Sequence, residues 1–147
     1  MAHYCQEKDG PALYADCQEC EEQLCGSFFC MIIGSRTFNN YELMKRKCDY
    51  LLQKKTEIVI ISGGANGTDA LAKRYAEEKG FAYKEFPADW SQYGKRAGYI
   101  RNRIMHEYLS KQKSRGVIAF WDGKSKGTAH SFELAKEFDN PIRVVRV

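Results

Sequence analysis

No apolar run in this 147-residue chain approaches the roughly 20 residues that a membrane-crossing helix needs. Met1 to Gly10 is polar and mixed in charge, so a secretory signal is not expected and the cytoplasm is the expected compartment. The full Walker pattern, Gly-x-x-x-x-Gly-Lys-Ser/Thr, is missing. So is the Gly-x-Gly-x-x-Gly fingerprint, which disfavours hydride transfer on a dinucleotide site. Acidic residues are thinly spread after the first segment: residues 1–30 hold six acids and one lysine, residues 31–147 hold 22 basic and 13 acidic residues. The net charge of +4 is therefore the sum of an acidic leader and a basic body. A basic body suits phosphorylated or anionic ligands, and nucleic acid also fits. The length is enough for one domain with a sizeable core and too short for two ordinary ones.

Cysteine is present six times but not in a completed metal pattern. Cys17-Gln-Glu-Cys20 is a C-x-x-C pair without a second pair; Cys25 with Cys5 or His3 would bring the ligand number to four. Cys5, Cys17, Cys20 and Cys25 are thus the candidate ligands of a structural zinc. Unliganded reduced thiols, or a disulfide or redox role, are the alternatives for the same residues. Cys30 lies inside an apolar run, where a free cysteine packs well. Residues 1–27 are expected to form a short acidic, Cys-rich extension and residues 28–147 the folded domain, which itself calls for no cofactor.

The body alternates short β-branched or aromatic runs with stretches of helical period. Strands are predicted at Phe28–Ile33, Ile58–Ile61, Phe81–Phe86, Gly116–Trp121 and Ile142–Val147. The intervening helices follow Asn39/Asn40, span Asp69–Lys79 with Gly80 as the terminating glycine, span Tyr99–Leu109, and run from the Lys124–Thr128 loop to Phe138. Thr68 or Asn66 is the expected N-cap of the second helix. This alternation predicts an α/β, Rossmann-like three-layer fold with a mostly parallel sheet of about five strands.

Ligands of such sheets bind outside the carboxyl ends of the strands, and the polar clusters fall there. After the first strand come Gly34, Ser35 and Arg36; after the second come Ser62, Gly63, Gly64, Asn66, Gly67, Thr68 and Asp69; Asp89 and Trp90 follow the third; Trp121, Asp122, Gly123, Lys126, Gly127 and Thr128 follow the fourth. Two of these are glycine turns opening a helix, an arrangement that leaves backbone N–H groups for a phosphate or simply makes a tight βα connection. Arg36 could clamp a phosphate and Trp90 or Trp121 could stack on a base. Arg101 is read as starting a helix, where its charge opposes the dipole and needs a ligand or an acid to explain it. Asp89 and Asp122 could hold ribose hydroxyls or activate water.

A set of segments carries a resemblance: Met31-Ile-Ile-Gly-Ser-Arg36; Ser62-Gly-Gly-Ala-Asn-Gly-Thr-Asp69 with Ala72 and Tyr75-Ala76; Ala88-Asp-Trp90 with Tyr93-Gly94-Lys95; Ala97-Gly98 with Arg101-Asn102 and Met105; and Phe120-Trp-Asp-Gly123 with Lys126-Gly-Thr128. Over roughly residues 29–147 these resemble the SLOG superfamily, in the group of small phage and bacterial proteins around YspA. That group is related to the cytokinin-activating phosphoribohydrolases and to the DNA-processing protein DprA. The resemblance implies a SLOG fold that binds a nucleotide-like ligand at the carboxyl rim, with phosphate at Gly63–Thr68 and Gly127-Thr128 beside Arg36, Arg101 and Asn102. It also implies a homo-oligomer, dimer or higher. In the cytokinin-activating relatives an arginine with a nearby methionine acts with a glutamate that follows the second Gly-Thr. Arg101 and Met105 match the first part, but Ala129, His130 and Ser131 follow Thr128 and the first glutamate is Glu133. The expected function is therefore binding of a nucleotide or ribose-phosphate-containing ligand, as sensor or sponge. The alternative is an N-glycosidic hydrolase of nucleoside monophosphates using Arg101 with Asp89 or Asp122. A DNA-binding role is the third reading.

Overall fold

The computed structural model describes residues 26–147. The expectations for Cys5, Cys17, Cys20 and Cys25, and with them the zinc and the acidic extension, lie outside the described residues. Five strands form one parallel sheet in the order β3-β2-β1-β4-β5: β1 (Phe28–Gly34), β2 (Ile58–Ser62), β3 (Ala82–Glu85), β4 (Ser114–Trp121) and β5 (Ile142–Arg146). Between them lie α1 (Tyr41–Leu52), α2 (Thr68–Lys79), the one-turn α3 (Trp90–Tyr93) with a 3-10 turn at Gly94–Arg96, α4 (Ala97–Ser110) and α5 (Lys126–Glu137). The Rossmann-like architecture expected from the alternation is the one observed.

Period-two alternation decides which helix goes where. Cys30, Ile32, Ile58, Ile60, Ile118 and Phe120 point to one face and meet Met44 and Cys48 of α1 and Ala72 and Tyr75 of α2. Phe29, Met31, Ile33, Val59, Ile61, Val117 and Ala119 point to the other and meet Met105 and Leu109 of α4. Both faces of the central strands are covered, which is why β1 and β2 read as unbroken apolar runs. Each fully buried Ile or Met contributes about 1.5–3 kcal/mol, so this double core holds β1, β2 and β4 rigidly under the rim.

Local signals fixed most boundaries. Asn40 Oδ1 accepts from Leu43 N–H at 3.1 Å and caps α1. Gly80 ends α2 in the left-handed region, its N–H reaching the last carbonyls. Three expectations need correction. The N-cap of α2 is Gly67, without a side-chain cap bond, rather than Thr68 or Asn66. The α4 helix begins at Ala97, so Arg101 lies in its second turn and not at its start. The last helix begins at Lys126, capped by Ser125, whose Oγ accepts from Thr128 N–H.

Candidate functional site

Strand order reverses between β1 and β4, which run side by side until Gly34 pairs with Phe120. At such a switch point the connections leave in opposite directions and open a crevice. The crevice here has a volume of about 400 Å³. Its floor is Ile33, Gly34, Ser35 and Arg36 after β1, and its walls come from Asp69 of α2, Trp90 and Lys95 of the α3 segment, Arg101, Asn102 and Met105 of α4, and Asp122, Ser125, Gly127 and Thr128 around the start of α5.

The two glycine turns behave differently. In the β2–α2 turn the N–H groups of Ala65 and Thr68 are already committed. Ala65 N–H donates to Asp69 Oδ2 at 3.1 Å. Thr68 donates to Ser35 O twice, from its N–H at 3.2 Å and from its hydroxyl at 2.9 Å. Gly67 has φ +72°, and a Cβ there would collide with the Arg36 backbone. A Cβ on Gly63 would collide with the Arg101 guanidinium. Gly63 and Thr68 are buried, and Ser62 completely so. This turn is a joint between β1, α2 and α4.

The β4–α5 turn faces the cleft. Asp122 Oδ1 accepts from Lys124 N–H at 2.8 Å and Ser125 N–H at 2.9 Å, and Asp122 N–H donates to Ser35 Oγ at 3.1 Å. The backbone bonds from Lys124 and Ser125 hold the Asp122 carboxyl below its ordinary range. Ser125 consumes the N–H of Thr128 and, through its carbonyl, that of Ala129. Gly127, the second residue of α5, has nothing within 4 Å of a Cβ position. The start of a twelve-residue helix, with its positive dipole end, is therefore presented to the cleft. Gly123-Lys124-Ser125 reproduces the end of a Walker pattern, but Ile118, inside β4, stands where the first glycine is needed.

Arg101 is buried and tied down. Its Nη1 donates to Gly63 O at 2.6 Å and to Phe86 O at 3.3 Å, and its Nε donates to Asn102 Oδ1 at 2.9 Å. The acid expected beside it is Asp69, across Gly63. Burial pushes the Asp69 carboxyl up, against the pull of Ala65 N–H and the Arg101 and Arg36 charges. Burial also pushes Arg101 down, with Asp69 opposing. For both partners loss of water outweighs mutual attraction, the usual balance of a buried charged pair. Arg36 stays exposed at the mouth, its guanidinium 5.9 Å from the Trp90 ring centre, in cation–π range.

Of the residues singled out in the sequence, Gly34, Ser35, Arg36, Asp69, Trp90, Arg101, Asn102, Asp122, Gly127 and Thr128 are brought together in the cleft. Ser62, Gly63, Gly64, Asn66, Gly67, Thr68, Trp121, Gly123 and Lys126 do not line it. Trp121 is braced instead: its Nε1–H donates to Ser125 O at 3.1 Å and its ring stands edge-on to Phe132 at 4.9 Å. Asp89 is exposed and caps α3, accepting from Gln92 N–H at 3.1 Å and from the Ser91 hydroxyl at 2.8 Å. Its Asp-x-x-Gln spacing is a capping signal in the sequence itself. Glu133 is exposed on α5 and does not line the cleft. Tyr99, Ser131 and Thr37 line it without having been singled out; nothing local marks them, because the packing of α4 against α5 brings the first two to the rim.

A parallel sheet in this order, with a polar crevice at its switch point, defines a Rossmann-like α/β protein. The chain belongs to the YspA, cpYpsA-related SLOG family (YAcAr), whose pattern matches residues 30–93. The Gene 61 protein of Mycobacterium phage D29 is 30% identical over 118 residues, covering 76% of this chain and 91% of that protein. The C-terminal domain (residues 78–226) of PF1911 hydrogenase from Pyrococcus furiosus shares the fold, with a TM-score of 0.50 at 14% identity over 80% of this chain and 89% of that one. Among the described residues no group of three or more His, Cys, Asp or Glu side chains could hold a metal, and no helix is long and apolar enough to cross a membrane.

Proposed function

We propose that this protein binds a nucleotide or nucleotide-derived ligand containing ribose phosphate, as a sensor or ligand sponge. The observation that carries the reading is the open first turn of α5, with Gly127 and Thr128 facing a cleft that Arg36 and Lys95 also line. Helix amides and exposed cations on one rim suit a phosphate. Trp90, 51% exposed at the mouth, offers a face for a base. A volume of about 400 Å³ accommodates a mononucleotide-sized molecule.

Binding is favoured over N-glycosidic hydrolysis because neither carboxylate suggested for acid–base work is placed and protonated to give a departing base its proton. Asp89 is a helix cap outside the cleft. Asp122 is held ionised by backbone donors and is a poor proton donor near neutrality. Native mass spectrometry of the purified chain, followed by thermal-shift titration with ribonucleotides, tests the reading. A carried-over or added nucleotide that raises the melting temperature, and no release of free base on incubation, is the expected result. Free base from any nucleoside monophosphate would turn the assignment toward hydrolysis. The same spectrum reads the homo-oligomer implied by the family resemblance.

A further inference from the structure

The cleft contains two carboxylates, Asp69 and Asp122, in a site read as taking an anion. Asp69 is accounted for by Ala65 N–H and the charges of Arg101 and Arg36. Asp122 keeps acceptor capacity: Oδ1 takes both backbone bonds, from Lys124 and Ser125, Oδ2 takes neither, and Ser35 adds one side-chain bond to a group with about four lone-pair sites. An ionised carboxylate can only accept hydrogen bonds, so the position it offers the cleft recognises a donor and rejects a second anion. Beside it Ser35 Oγ accepts from Asp122 N–H and its side chain also bonds the Asp122 carboxylate, which holds the two groups side by side with lone pairs turned outward. A fixed carboxylate next to a hydroxyl oxygen, both accepting, matches a pair of sugar hydroxyls, each of which brings a donor. The place is right as well. Asp122 is bonded to Ser125 N–H, one residue before the amides of Lys126 and Gly127, so a sugar held on it sits beside the start of α5.

We infer that Asp122, with Ser35, is the specificity-determining pair of the cleft, selecting ligands whose ribose 2′- and 3′-hydroxyls are both present and free. The inference rests on the nucleotide-binding reading and narrows it to ribonucleotides with an unmodified diol. Deoxyribonucleotides lose a donor to the carboxylate, and ligands phosphorylated on the 2′- or 3′-oxygen bring a second anion against it.

The test is calorimetric titration of the full chain with the common ribonucleoside 5′-monophosphates, their 2′-deoxy and 3′-deoxy forms, and a 3′,5′-bisphosphate. Losing a hydrogen bond to a charged group should weaken binding about tenfold, so the ribo form is expected to lead by that factor and the bisphosphate to bind more weakly still. Asp122→Asn is the matched variant. Its amide oxygen can still accept from Lys124 and Ser125, but an NH2 group replaces Oδ2. In it the ribo preference is expected to fall to within about twofold, and the bisphosphate to gain. Tryptophan emission, sensitive to the Trp121–Ser125 bond, checks that the turn is intact. Equal binding of ribo and deoxy forms by the native protein overturns the inference while leaving nucleotide binding standing; so does a ribo preference that survives in Asp122→Asn. No binding of any nucleotide overturns the functional reading and the inference with it.

Discussion

The β2–α2 and β4–α5 turns look alike in sequence, each a strand followed by glycines and a Gly-Thr at a helix start, yet they do opposite work. Around Gly67 the backbone of Arg36 leaves no room for a Cβ, and Asp69 and the Ser35 carbonyl take the Ala65 and Thr68 donors. Around Gly127 there is open space, and the helix start faces the cleft. Anion affinity follows from donors left unsatisfied by the protein, not from glycine content. The first turn shapes the site by holding β1, α2 and α4 together; the second meets what enters it.

The largest effect should come from closing the packed turn. Gly67→Ala puts a methyl against the Arg36 carbonyl at a positive φ, and is expected to cost more than about 4 kcal/mol in chemical denaturation, the range reserved for core strain. A cost below about 1 kcal/mol would mean that this turn is not the joint described here.

Next is acid sensitivity in α4, beside the end of α5 remote from the open turn. His106 of α4 is fully buried, with Asn140 Nδ2 3.1 Å from its Nδ1 and no partner for Nε2. Burial, and secondarily the neighbouring His130, pushes its pKa down from 6.5 to about 4. The fold therefore holds it neutral while the unfolded chain takes up a proton. Its contribution is complete above about pH 6.5 and is lost as pH falls toward about 4, amounting to about 3 kcal/mol. A stability profile over that window checks this, and His106→Gln should flatten it. An unchanged slope in the variant would assign the acid loss to other groups.

The smallest effect has the opposite sign. Gly127→Ala adds a methyl in open space within a helix, and is expected to raise stability by up to about 1 kcal/mol while weakening ligand binding. A loss of stability would show that the second turn is packed like the first, and the contrast between them would fail.

Much of the fold was legible in the residues. The residue runs located all five strands to within two residues at either end, and β1 and β2 stood out most because strands covered on both faces admit few polar side chains. Asn40 and Gly80 announced the ends of α1 and α2 through local backbone chemistry. The site was legible in part. Ser35, Arg36 and Asp122 follow directly on strand ends, so topology alone put them on the rim. Tyr99 and Ser131 were not marked, since their place depends on α4 packing against α5. For Trp121 the residues left a stacking surface and an ordinary loop-lining tryptophan open, and its indole is held by Ser125 and Phe132.

The sequence by itself determined the alternation of strands and helices, the two-faced core, the rim on which polar residues gather and, through its spaced motifs, the family. These depend on period, propensity and chain order, all local quantities. Only the tertiary structure decided which glycine turn is packed and which is open, and that Arg101 anchors Gly63 and Phe86. Those outcomes depend on whether a carbonyl or side chain from a distant segment arrives at a given amide. Arg36 meets Gly67, and Arg101 meets Gly63, only after the sheet has formed between them.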